Sequence, residues 1–222
     1  MLSSGFCSWR RSYAYLLAIA LAAGVSVAAK HFVMPEAHPA KTYPAHDEHP
    51  NEGVTLGVDP YDIGDKTNIF TVRYHDVGFL PLFVVITNDS NQPIALAGSK
   101  AEFVTHDRSK IFPATPDDIF RRIARPIGEV SPSPSPLPWP RKAKGSVSKE
   151  VQEEVDNSQF VARAVEPHSS QSGFMFFDVA GIDTPLAGAH LYLTGVRDSK
   201  GNDLMYFEVP LEKYLGAPNP SP

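Results

Sequence analysis

The sequence predicts a mainly β protein: one antiparallel β-sandwich carrying a helical, proline-rich insertion. Three observations carry that prediction. Short apolar segments recur at intervals of about ten residues and are joined by polar turns. Prolines outnumber glycines, 21 to 15, which disfavours a mainly helical chain. The 222 residues, 42% hydrophobic and 20% charged, match one ordinary globular domain and exclude collagen, coiled coil and full disorder.

The N-terminus comes first. Arg10 and Arg11 precede an uncharged run from Ser12 to Ala29, and Lys30 closes it. A positive flank, an apolar centre and small residues at Val27 and Ala29 are the parts of a secretory signal, so residues 1–29 are expected to be cleaved before Lys30. The run also sits at the lower length limit for a spanning helix, so retention of residues 13–29 as an inner-membrane anchor is the alternative. In both cases the arginines hold the N-terminus inside, and the remainder is expected in the periplasm or outside the cell. Cleavage removes Cys7, the chain's single cysteine, and with it any disulfide or thiol nucleophile.

Residues 30–53 are rich in Pro, His, Ala and acidic side chains without an apolar period, which predicts a disordered tether. Strands are then expected over 68–78, 80–89, 93–98 and 100–107. The near-continuous apolar run LPLFVVITND (80–89) reads as a central strand covered on both faces. Further strands are expected at 159–167, 172–181, 189–198 and 204–211, the last two joined by a turn around Lys200-Gly201-Asn202. Two segments read as helices. TPDDIFRRIAR (115–125) offers Thr115 as a cap, Pro116 in the first turn and acidic residues before basic ones. SVSKEVQEEVDNS (146–158) repeats valine every four residues, a narrow stripe suited to lying on a sandwich surface. Between them SPSPSPLPWPRKAKG (131–145) reads as polyproline II. The expected organisation is therefore one domain over 54–215 with an insertion at 115–158 and a disordered tail at 216–222.

VEPHSSQSGFMFFDV, followed by LAGAHLYLTGVRDSKGNDLMYFEVPL, runs from proline through a polar linker to a glycine, an aromatic strand and a hairpin. This resembles the immunoglobulin-like sandwich modules of exported bacterial proteins of unassigned activity, and HDVGFLPLFVVITNDSNQPIAL fits their earlier strands. The resemblance implies an immunoglobulin-like fold without catalytic residues. The Cys…Trp…Cys pattern of antibody-type domains is missing.

A net charge of −5 and a pI near 5.9 argue against nucleic-acid binding. His31, His38, His46 and His49, with Asp47, Glu48 and Glu52, combine imidazole and carboxylate and support a metal-binding alternative. Their segment has no core residues to fix ligand geometry, so no metal site and no cofactor are assigned. His75-Asp76, His106-Asp107 and His168-Ser169 are adjacent pairs. Neighbours on a strand point to opposite faces and cannot form an orienting hydrogen bond. The chain contains no G-x-S-x-G, H-E-x-x-H or phosphate-binding glycine loop, so no catalytic residue is assigned. A hydrolase assembled from distant segments is the second alternative. His190 reads as a strand histidine, and Phe174, Phe176 and Phe177 as core. Trp139, flanked by prolines and followed by Arg141 and Lys142, is the expected contact for a protein partner. The function expected is an exported, non-catalytic interaction or envelope-structural module.

Overall fold

The computed structural model describes residues 32–62, 64–125 and 147–215. Among them the dominant elements are two four-stranded antiparallel sheets. The first has the order β1 (Ala45–His49), β2 (Val54–Pro60), β3 (Phe79–Asn88) and β8 (Ser169–Asp178). The second has the order β10 (Phe207–Pro210), β9 (His190–Thr194), β5 (Lys100–Val104) and β6 (Lys110–Ile111). A two-residue pair, β4 (Ile94–Ala95) with β7 (Ala164–Val165), lies apart from them.

Alternation along β3 sets the layering. Leu80, Leu82, Val84 and Ile86 join Leu56 and Val58 in one buried cluster with Phe103, Leu191, Leu193, Phe207 and Val209 of the second sheet. Phe79, Phe83 and Val85 point the other way, into a second cluster with Phe174, Phe176, Phe70 and Tyr74. Helix α1 (Pro116–Ala124) contributes Ile119 to that second cluster, and α2 (Lys149–Ser158) contributes Val155. β3 is thus buried along its whole length, as its unbroken apolar run predicts. Each buried phenylalanine or leucine here contributes about 1.5–3 kcal/mol from transfer out of water.

The first helix begins where the sequence places it, and the second starts at Lys149, three residues later than the expected 146. Thr115 accepts from the Asp118 N–H, and the Asp118 carboxylate accepts in return from the Thr115 N–H, a complete capping box. Ser148 caps α2, which starts at Lys149 and leaves Val147 outside the helix.

Several expectations are corrected. The tether reading of 30–53 fails over the described residues 32–53. Ala40–Thr42 form a 3-10 turn, β1 pairs along its whole length with β2, and Phe32 stacks on Phe70 at 5.6 Å. β1 is polar because it is an edge strand, held by the hairpin with β2 and by contacts from the distant β10. The folded domain therefore begins before residue 54. Residues 68–78 form no strand: Gly64–Ile69 and Tyr74–Val77 are 3-10 turns that drop Phe70 and Tyr74 into the outer cluster. The segment 159–167 contributes only two strand residues. The signal or anchor segment, the polyproline stretch and the tail lie outside the described residues. Among the described residues no helix is long and apolar enough to cross a membrane.

Candidate functional site: an arginine-lined cleft beside an apolar pocket

A cavity of about 530 Å³ opens where α1 meets the end of β8. The chain reaches it because Pro113 ends the β5–β6 ladder. Phe103 pairs with Ile111, so Pro113 falls opposite Ala101 but has no N–H to donate. Residues 112–114 cross instead to β8, where Pro113 bridges Phe177 and the Ala114 N–H donates to Phe176 O at 2.7 Å. α1 follows at once. Its spacing sets Asp118, Arg121, Arg122 and Arg125 around the cleft, with Phe79, Phe112 and Asp178 completing the walls.

The charges are unequal. Arg121 pairs with Asp118, and Arg122 pairs with Asp178 while its guanidinium lies 5.4 Å from the centre of the Phe79 ring. The hydroxyl of Thr115, then its backbone N–H, holds the Asp118 carboxyl below its ordinary range, so that acid stays ionised. Arg125 has no ion-pair partner among the described residues, which leaves the cleft with one guanidinium in excess. Phe112, 60% exposed, offers an apolar rim beside it. Cationic and apolar surface side by side can bind a carboxylate that carries an apolar neighbour.

A second cavity, about 210 Å³, lies across the 112–114 crossing and shares Pro113 and Ala114 with the first. Ala101, Phe160, Ala162, Met175, Phe176 and Leu193 supply apolar walls. It exists because β6 is only two residues long and leaves the lower half of β5 without a neighbour on that side. Gln159 lines it, and its buried Nε2 has no hydrogen-bond partner.

The other residues singled out by sequence fall elsewhere. His49 Nδ1 lies 2.9 Å from Glu52 and Nε2 lies 3.4 Å from Asp47, while its ring stacks on Phe207 at 4.1 Å. His46 Nδ1 lies 2.6 Å from the Tyr43 carbonyl oxygen. These histidines join β1 to its surroundings. Among the described residues no group of three or more His, Cys, Asp or Glu is placed to hold a metal ion. His75 and Asp76 stand 3.8 Å apart on an exposed turn. Asp107, next to His106, accepts from Thr105 and Ser109. His168 meets Asn91 at 3.0 Å, and the Ser169 hydroxyl donates to Glu166 O rather than to that ring. The structure brings none of these pairs to the cleft. His190 Nδ1 lies 3.0 Å from Glu208 Oε1 but outside hydrogen-bond geometry. Trp139, Arg141 and Lys142 lie outside the described residues. In the sequence, Arg121, Arg122 and Arg125 read only as charges complementing the helix dipole. The available signal was three guanidiniums within five residues of one amphipathic helix.

No family model, curated protein or solved structure matches this chain. The functional reading rests on its own residues.

Proposed function

We propose that this protein is an exported, non-catalytic interaction module: an immunoglobulin-like sandwich that presents the cleft between α1 and β8 to a partner. The observation that carries this reading is the lining of the cleft. Among the described residues it holds three arginines, one of them unpaired by any described carboxylate, an exposed phenylalanine and no histidine, serine or cysteine. Such a lining attracts and orients an anionic partner, and its two carboxylates, Asp118 and Asp178, are engaged by Arg121 and Arg122 rather than paired with a nucleophile. Export follows from the order of charge, apolar run and small residues in 1–29. Trp139 with Arg141 and Lys142 belongs to the same reading as a second contact for the partner.

Fractionation with N-terminal sequencing tests export, and an intact chain recovered from cytosol overturns it. A photo-crosslinking amino acid in place of Phe112 tests the cleft inside cells. A defined adduct with another macromolecule supports the module, and no adduct beyond background overturns it.

A further inference from the structure

The cleft and the apolar pocket are two halves of one surface, divided only by Pro113 and Ala114. Around the pocket are hydrogen-bonding groups whose strand neighbour has ended. In the β5–β6 hairpin the Thr105 N–H donates to Ser109 O, so residues 105, 103 and 101 turn their backbone polar groups toward the β6 side. At Ala101 the paired strand has stopped, because the opposing position is Pro113. Ser99 and Ala101 both line the pocket, and across from them Gln159 presents its unpartnered Nε2. The Ser99 N–H is already taken by Leu96 O, so the Ala101 backbone beyond the end of the β5–β6 ladder and the Gln159 amide opposite are the groups that a peptide backbone can satisfy. The apolar walls take one side chain of such a peptide, and the adjoining cleft takes an acidic one.

We infer that the occupant is an extended acidic peptide segment of a partner protein, with an apolar residue in the pocket against Phe160, Met175 and Leu193 and a carboxylate on Arg125. The inference rests on the interaction-module reading and adds the class of partner. Charge complementarity selects the acidic class. The chain as a whole is net negative, so the excess guanidinium is a local exception rather than a general basic surface. A small anion satisfies Arg125 but leaves the pocket and Gln159 unused, whereas a segment crossing the 112–114 strap engages both halves.

The test is selection of the full chain against a random octapeptide phage library, followed by polarisation measurements on the selected peptides and flotation with phosphatidylglycerol vesicles. Selected peptides should be enriched in Asp or Glu close to Leu, Ile or Phe. Arg125→Glu should weaken them about tenfold or more, the scale of a lost charge-assisted contact that becomes repulsive. Gln159→Leu, which keeps the volume, should weaken them severalfold while Arg125→Glu leaves the melting temperature unchanged. Selection without acidic enrichment, or binding indifferent to Arg125→Glu, overturns the inference. Arg125-dependent vesicle binding without peptide binding also overturns it and assigns the cleft to a lipid headgroup. If the Phe112 crosslink forms while acidic peptides fail, the module stands and this occupant falls. If both fail, the module falls with it.

Discussion

The Tyr74 hydroxyl donates to Glu154 Oε1 at 3.0 Å, inside the outer core and across 80 positions of sequence. The same carboxylate accepts from the Thr71 N–H at 2.5 Å and the Val72 N–H at 3.4 Å, so one buried acid pins α2 to the turn that carries Phe70 and Tyr74. Glu154→Leu leaves the buried Tyr74 hydroxyl without its acceptor and removes the carboxylate that holds the partly buried turn, and is expected to destabilise the domain by about 2–4 kcal/mol. Tyr74→Phe removes one neutral donor and should cost about 1 kcal/mol. Urea denaturation of both variants checks the order, and equal losses would contradict it. Burial first, then the charge of Glu154, pushes the Tyr74 hydroxyl well above its ordinary value, so it remains a donor throughout the normal pH range.

Tyr192 gives the pH-dependent prediction. Its hydrogen bond to Glu208, then burial, pushes its pKa up to about 12 from an ordinary 10.0. A folded-state value above the unfolded one contributes stability that is fully present below pH 10 and is lost as pH rises through about 12. In ultraviolet titration the Tyr192 contribution, identified as the one lost in Tyr192→Phe, should appear near that value and return toward the ordinary value in Glu208→Gln. An unchanged titration in that variant would remove Glu208 as the cause.

Gly173 marks a close approach. A Cβ there would stand 2.6 Å from Phe160 Cα and 2.8 Å from Gln159 O, because residues 159–160 cross directly over β8. Gly173→Ala must push that crossing away and strain the bond from the Phe160 N–H to Phe174 O, now 2.9 Å. The expected cost is about 1–3 kcal/mol, with hydrogen-exchange protection lost first at Phe160. Unaltered protection would show that the crossing moves freely.

Trp139→Ala separates a partner contact from a packing strut. As a contact, it should lower partner recovery at constant melting temperature. A fall of several degrees, matching about 1–3 kcal/mol, with recovery intact would assign Trp139 to packing.

What was legible in the sequence follows from how local each signal is. β3 announces itself because burial on both faces demands an unbroken apolar run. α1 does so because its cap, proline and charges all lie within Thr115–Arg125. β1 is hidden: AHDEH is written in polar residues, and what holds it are Val54–Val58 of β2 and Phe207 of β10. Residues 68–78 mislead in the opposite direction. Phe70 and Tyr74 are apolar anchors on turns, and their burial reflects the sheet face they meet rather than any strand period. The cleft is half legible. Its arginines lie within residues 121–125, but Phe79, Phe112 and Asp178 join them only through the crossing forced at Pro113.

The Asp47 carboxylate accepts from the Glu208 N–H at 2.8 Å, 161 residues away, and the Tyr214 hydroxyl reaches Val58 O at 2.6 Å over a similar span. Closing such distant pairings is entropically slow, which places this topology among slow-folding β domains. The order of synthesis adds a further constraint. Until residues 207–214 leave the ribosome, β1 lacks its late-made partner, and the cluster containing Leu56 and Val58 has no Phe207 or Val209 to cover it. A nascent chain therefore cannot complete its native state before residues 207–214 have been made, and until then its first sheet has no complete second sheet to close against. For a protein proposed to cross a membrane, the last strand acts as a timer on folding.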